Sequence, residues 1–516
     1  MVAVPELAPL LPLALVLTAL VPAVVIFLLP ERSEGPRRVV NMAGAVVKLG
    51  LVLALLVGVA SGQEYEWRRA LLPGIDLVLR VDPIPLLFVT LSSLLWLTTT
   101  AYAIGFLEAG QRRSRFFGFF SLCVTATIGI ALAGNLVTFL LFYELLTIAT
   151  YPLVAHQGTR KALLGARAYL VYSVAGGAVL LVGIALLHVL AGPVEFLDYA
   201  PLTGLAATHP GLLTLLFVLL VGGLAVKAAI VPLHGWLPKA MVAPAPVSAL
   251  LHAAAVVKAG AYGIVRVVHD LYGVHLVQQL GLLTPLAVLA AVTIVYGSAR
   301  ALAQDDLKRR LAYSTVSQLS YVVLGITILS VAGLAGGLVH LVHQGIQKVT
   351  LFYCAGILAK RAGVTKISEM RGIGRRMPLT MTAFTIAALG MIGIPPTAGF
   401  ISKWYLGTGA LDAGQGWIVP VLLLSSALNA AYFLPVLARA WFYAPDTPAP
   451  APAGRSAPAG RSAPAPAGPR SAERDPWLLL PTLVTGVSVL LVGVLAASPL
   501  SPLTWALSIS EAVMGP

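Results

Sequence analysis

Seven ionisable residues lie inside stretches otherwise built from Leu, Val, Ala, Ile and Phe: Glu144, Lys227, Lys258, His340, His343, Lys348 and Lys403. A charge at the centre of a bilayer costs about 2.5–3.5 kcal/mol even on the most lenient scale. Amines and imidazoles held there are therefore expected to act, and reversible protonation is the chemistry open to them. Two of the lysines flank proline breaks: Lys227 precedes Val231-Pro232-Leu233-His234, and Lys403 follows Gly393-Ile394-Pro395-Pro396. The combination predicts an ion pathway through a helical membrane protein.

Glu144 sits among apolar neighbours in Phe142-Tyr143-Glu144-Leu145-Leu146, so its carboxylate needs a cation once it leaves water. Lys227 is the expected partner. A purely structural intramembrane ion pair is the alternative, and breaking such a pair is costly. The stretch from Lys227 to Arg266 also holds His234, Pro238, His252 and Lys258. On one continuous helix His252 and Lys258 fall on different faces, so a proton would pass between them through water. A desolvated lysine can give up its proton near neutral pH, whereas arginine keeps it. Snorkelling toward the headgroups is the rival reading, and it suits Lys239 and Lys360 better than Lys227 or Lys258.

His340 and His343 share one helix face, with Lys348 further along. The HxxH spacing permits metal ligation, but no carboxylate or cysteine stands near enough to complete a ligand set, so no metal is expected. Proton relay is expected instead, with hydrogen-bonded packing as the alternative. In Asp305 to Gln318, acids and then bases open a helix, and Ser314, Thr315, Ser317 and Gln318 follow. That polar start serves as a proton inlet or as a helix-packing surface.

The elements that must position these groups follow from composition. The chain is 58% hydrophobic and 10% charged, with mean hydropathy +0.91, which marks an integral membrane protein. Its net charge of +14 lies in short loops between apolar runs, so no nucleic-acid surface is expected. Cys123 and Cys354 fall within apolar segments and imply neither a disulfide framework nor a Cys-based metal site. The first apolar run is expected to be a retained helix, not a cleaved signal.

On a criterion of about 20 apolar residues per span, the pattern predicts an all-α membrane fold of about fourteen helices. They fall near 10–30, 39–61, 83–107, 115–133, 136–155, 166–191, 211–231, 246–268, 278–301, 311–330, 333–358, 379–403, 416–443 and 477–497. Residues 62–82 alternate apolar and polar, as an extramembrane hairpin does.

Bases crowd the loops after odd-numbered helices: Arg32, Arg37 and Arg38; Arg112, Arg113 and Arg115; Arg160 and Lys161; Lys308, Arg309 and Arg310; and Lys360 to Arg376. Those loops are expected to be cytoplasmic, with both termini outside. Helices seven and twelve, each broken by proline, hold the same ordinal place in two blocks of five. That repetition points to inverted repeats with a site near the midplane. The predicted organisation is thus 1–107 with the hairpin, repeat one at 115–268, repeat two at 278–444, an Ala/Pro-rich cytoplasmic linker at 445–475, and a last helix within 476–516.

Taken together, these strings resemble the antiporter-like proton-translocating membrane subunits found in respiratory complex I, membrane-bound hydrogenases and Mrp-type cation/proton antiporters. The likeness rests on Tyr143-Glu144-Leu-Leu-Thr, Lys227 to Pro238, Pro246-Val-Ser-Ala-Leu-Leu-His252, Lys258-Ala-Gly260-Ala-Tyr262, Leu311-Ala-Tyr-Ser-Thr315 and Gly399-Phe-Ile-Ser-Lys403. Leu311 to Tyr321, Lys348 to Gly356 and Ala431 to Pro435 look most like the D-type member of the Mrp antiporters.

The resemblance implies a fourteen-helix fold with inverted five-helix repeats and a hydrated axis near the midplane. It also implies roles: Glu144 pairs with Lys227, Lys258 lies at the centre and Lys403 controls exit. Lysine at 403 sets the chain apart from the complex I subunit with glutamate there, and its early end sets it apart from the subunit with a long lateral helix. The implied partners are other membrane subunits, the lipid bilayer and protons, with sodium passing here or in a neighbour. The implied location is a bacterial or archaeal plasma membrane. A proton-pumping subunit of a redox-driven complex is the alternative. With no cluster-binding cysteines, dinucleotide fingerprint or haem ligands in the sequence, no cofactor is expected.

Overall fold

The computed structural model describes residues 5–107, 112–445, 473 and 475–515. Long apolar runs must close their backbone hydrogen bonds within themselves, so they form helices. In chain order these are α1 (Leu11–Leu28), α2 (Glu34–Ala60), the strands β1 (Tyr65–Leu72) and β2 (Ile75–Val81), then α3 (Pro83–Phe106), α4 (Arg113–Leu132), α5 (Leu136–Val154) and α6 (Arg160–Ala191). There follow α7 (Pro210–Ala228), α8 (Ala245–Ala253), α9 (Val256–Val265), α10 (Leu283–Leu302), α11 (Leu307–Gly325) and α12 (Val331–Ile357). The chain ends with α13 (Pro378–Ile392), α14 (Ala398–Asp412), α15 (Ile418–Phe442), α16 (Pro476–Val494) and α17 (Pro502–Met514). Polar side chains set several starts: Asn135, Thr159, Asp306, Ser330, Asp475 and Ser501 each accept a hydrogen bond from a first-turn amide.

Among the described residues eleven helical segments are long and apolar enough to cross a membrane. The predicted tenth, eleventh and twelfth spans are present as α11, α12 and the α13–α14 pair. Polar heads dilute α11 and α12, while a break leaves α13 only 15 residues long. Predicted span twelve accordingly stops at Ile392, and its second half runs on to Asp412. Predicted span eight is not continuous either. It parts at Ala254-Ala255, both of whose amides turn back to the Leu250 carbonyl, and then finishes as a π-helix from Arg266 to Tyr272. The helix α17, packed on α12 and α3, was not predicted.

The hairpin pairs Tyr65 with Val81 and Trp67 with Leu79. It docks on the start of α5 and on the loop before α7: Val78 N donates to Thr138 Oγ1 at 3.0 Å, and Arg80 bridges Glu66 and Glu195 at 2.7 and 2.6 Å. Behind it, buried Arg266 pairs with Asp82 at 3.1 Å and Asp270 at 2.7 Å. At the opposite end, Lys360 caps α3 through the Gly105 and Phe106 carbonyls, and Lys239 is exposed. Nearly all of the predicted linker, residues 446–472 and 474, lies outside the described residues. Glu473 accepts from the Thr380 amide at 2.9 Å and caps α13.

Small residues bring the broken helix against α12. A Cβ on Gly409 would lie 2.2 Å from Gly333 N, and one on Gly336 would lie 2.7 Å from Leu406 N. Backbones this close pack α14 onto the helix that carries His340, His343 and Lys348.

Candidate functional site

The site begins where α7 stops. Ala229 takes a left-handed φ of 57°, and the chain turns through Val231-Pro232, a cis peptide bond. Protein groups satisfy the freed backbone: Trp236 Nε1 donates to the Val226 carbonyl at 2.7 Å, and Val231 N donates to Thr293 Oγ1 at 3.2 Å. Such irregular backbone survives at membrane depth only when it is matched this way. Lys227, the next residue but one before the turn, is wholly buried. Its Nζ donates to the Tyr143 carbonyl and lies 3.2 Å from the Tyr143 ring centroid.

Glu144 stands beside this ammonium and acts on it electrostatically, yet the two form no ion pair. The carboxylate Oε1 is buried without a hydrogen-bond donor. It rests against Gly177 of α6, where a Cβ would come within 2.0 Å of it. Across the same break Gly260 of α9 lies so near that a Cβ would sit 2.2 Å from Ala228 N. Two glycines thus shape the pair, one making room for the carboxylate and the other for the lysine's backbone.

Lys258 of α9 is wholly buried and donates to the Leu341 carbonyl of α12. That helix turns a polar stripe inward: His340, His343, Gln344, Gln347 and Lys348, all buried. His340 Nδ1 bonds Ser402 Oγ at 2.8 Å, and its ring stacks on Tyr321 at 5.0 Å. His340 Nε2, both nitrogens of His343 and of His252, and the amide heads of Gln318, Gln344 and Gln347 find no hydrogen-bond partner. His252 lies tilted against the Phe352 ring at 4.6 Å and across the Ala254-Ala255 break from Lys258. The single continuous helix expected between those two residues is therefore replaced by two.

Lys348 Nζ donates to Ser314 Oγ at 2.7 Å and to the Leu311 carbonyl at 3.1 Å. The polar start of α11 thus reaches the axis. Lys403 caps the broken end of α13, donating to the Met391 and Ile392 carbonyls at 3.0 and 2.8 Å and to Ser426 Oγ at 3.0 Å. Gly393, at φ 94°, leaves space for its stem. Pro395 and Pro396, joined by a cis peptide bond, are exposed in the break, as is Pro232 in the first; Pro238 is buried in the short helix Trp236–Lys239. His234 is half-buried, edge-on to Tyr296 at 5.0 Å.

The predicted residues therefore gather around two broken helices, with Lys258 between them. No described group of His, Cys, Asp and Glu could hold a metal ion. Gln344 and Gln347 escaped the sequence reading, although both keep the helical spacing of His340 and Lys348 and that period was there to be read. Lys48 of α2 escaped it too. It is wholly buried over the Trp96 ring at 4.4 Å, with no hydrogen-bond partner.

The family model described as NADH:quinone oxidoreductase/Mrp antiporter, TM, matches residues 133–429, a span that encloses every one of these groups from Glu144 to Lys403. The chain belongs to that family. Within it, NADH-quinone oxidoreductase subunit N of Desulforudis audaxviator is 35% identical over 496 residues, covering 94% of this chain and 95% of the relative. The D subunit of the Na(+)/H(+) antiporter of Bacillus subtilis is 29% identical over 382 residues, covering 72% and 75%. A chain of the Mrp complex from Dietzia sp. DQ12-45-1b superposes with a TM-score of 0.82 at 26% identity, over 98% of this chain and 100% of that one. The family's all-α membrane fold, implied by the sequence motifs, is the fold observed.

Proposed function

We propose that the chain is the proton-translocating subunit of a multisubunit membrane complex, of the Mrp-type monovalent cation/proton antiporter class and like its D-type member. One observation carries the reading: three buried lysines, at 227, 258 and 348, and the half-buried Lys403 donate only to carbonyls and hydroxyls, and none closes an ion pair among the described residues. Amines held by neutral acceptors can take up and release protons, which ion-paired ones resist. The unpartnered His heads add sites for proton exchange, and the unpartnered Gln heads beside them are polar groups of the kind that buried water meets.

The step is a switch at the first break. With Glu144 against Lys227, the ammonium keeps its proton. With the carboxylate withdrawn toward Gly177, the proton passes toward Lys258, then along the stripe of α12 to Lys403. The axis suits protons over sodium, which seeks oxygen ligands and negative charge. The basic loops face the cytoplasm and both termini lie outside, in the plasma membrane of a bacterium or archaeon, beside other membrane subunits.

The second reading is a pumping subunit of an NADH-quinone oxidoreductase-type complex, favoured by the full-length relative from Desulforudis. Purifying the complex from its native membrane separates the two, because iron–sulfur partners select the redox assembly and small membrane partners alone select the antiporter. Transport itself is tested in proteoliposomes holding the complex. Lys227→Ala is expected to abolish proton movement with assembly intact, and undiminished transport would end the scheme.

A further inference from the structure

The lysine axis is joined by a second connection through α15, which supplies none of the groups named so far except the Lys403 cap Ser426. Tyr432 Oη lies 2.8 Å from Ser314 Oγ and 2.7 Å from Asn429 Oδ1. Asn429 Nδ2 donates to the Met391 carbonyl at 3.0 Å, the same carbonyl that Lys403 caps. Ser314 Oγ in turn accepts from Lys348. An unbroken row of hydrogen bonds thus runs from Lys348 through Ser314, Tyr432, Asn429 and Met391 to Lys403. Tyr432, Asn429, Ser314 and Lys348 are all wholly buried.

Donor counting gives this row a direction. Asn429 is oriented by its amide nitrogen on Met391, so its Oδ1 can only accept. Tyr432 has one hydrogen for two neighbours, and Ser298, at 3.5 Å from Oδ1, is too distant to replace it. Tyr432 is placed to donate to either Ser314 Oγ or Asn429 Oδ1. With Lys348 as an ammonium, Ser314 accepts from Lys348, Tyr432 is free to give its hydrogen to Asn429, and Asn429 donates to Met391. A neutral amine brings a lone pair that asks for the Ser314 hydrogen. If Ser314 turns to meet it, Tyr432 must turn to Ser314, and Asn429 loses its donor. If Ser314 does not turn, the lone pair stays unmet. The charged form of Lys348 thus favours the Tyr432–Asn429 bond, and the neutral form the Tyr432–Ser314 bond.

We infer that Tyr432 and Asn429 are positioning residues that couple the charge on Lys348 to the hold on Lys403, through the choice of the single Tyr432 hydroxyl hydrogen between Ser314 and Asn429. The inference rests on the proton-pathway reading above and adds a link that does not pass through His340 or His343. The other ionisable groups facing the row are Arg310, which donates to the Tyr432 carbonyl at 2.7 Å, Tyr321 beneath Lys403, and Lys258 and His340 at its inner side. An amide stands in the row, so the link transmits orientation and carries no proton itself.

The test uses the intact complex in proteoliposomes, with Tyr432→Phe, Ser314→Ala and Ser314→Thr beside Lys227→Ala. Tyr432→Phe removes the hydroxyl and keeps the ring. Transport is expected to fall about tenfold, with an altered pH profile, while assembly and melting temperature stay near those of the parent. Ser314→Ala should match it, the double variant should be no worse than either single, and Ser314→Thr should restore the rate. If Tyr432→Phe lowers only the melting temperature, or keeps the parental rate and pH profile, the link is refuted. That outcome is separate from failure of the pathway itself, which shows as full transport in Lys227→Ala.

Discussion

Adding one methyl group at Gly177 is the sharpest probe of the Glu144 switch. The new Cβ would stand 2.0 Å from Glu144 Oε1, 2.8 Å from its Cδ and 3.3 Å from Oε2. Going from 2.0 Å to an ordinary contact of 3.4 Å, the carboxylate oxygen must retreat by about 1.4 Å. The atom displaced is the tip of a flexible side chain, so the helix need not move. Ala also outranks Gly in a helix interior by about 1 kcal/mol, which offsets the cost of repacking.

Gly177→Ala is therefore expected to melt close to the parent temperature and to assemble normally. Its effect should fall on function, since a misplacement of about 1 Å in a reacting group can cost roughly a hundredfold in rate. We expect proton transport in proteoliposomes, read by a pH-sensitive dye under an imposed potential, to fall by about 10- to 100-fold. Combined with Glu144→Gln, the second change should add nothing, because both act on the same atoms. Parental transport in Gly177→Ala would show that the carboxylate's position does not matter, and the switch would be lost with it.

Other perturbations separate steric from chemical roles. Gly260→Ala puts its Cβ 2.2 Å from Ala228 N and 2.7 Å from Lys227 C, where only backbone can yield. It should cost at least the roughly 1–3 kcal/mol of an overpacked core, visible as a lower melting temperature together with lost transport. Lys403→Met leaves the Met391 and Ile392 carbonyls without their ammonium donor, a loss of about 1–3 kcal/mol in stability. Lys403→Arg keeps a cationic cap but holds its proton, so stability should return while transport does not. Restored transport in the arginine variant would remove Lys403 from the pathway.

Much of the site was legible because a charge in an apolar run is rare and conspicuous. Glu144, Lys227, Lys258 and Lys403 announce themselves by residue type, and the proline breaks beside two of them by backbone chemistry. Helical period placed His340 and His343 on one face of α12, with Lys348 further along, although the same period, carried through, would have added Gln344 and Gln347. Apolar run length located the spans but passed over the break at Ala254-Ala255. No proline or glycine marks that break, whose two halves pack against α12 and α7, so local propensity carries no sign of it.

Residue type and periodicity alone thus determined that this is a bundle of membrane helices with titratable groups at its centre, since the bilayer penalises such groups heavily wherever they fall. Partnership was decided by the tertiary structure. That Lys227 turns to a carbonyl instead of to Glu144, that Lys403 caps the helix it follows, and that Tyr432 joins two lysines are contacts spanning up to 118 residues of sequence. Hydrogen bonds act over about 3 Å and depend on direction, so only the packed arrangement of several helices could select them.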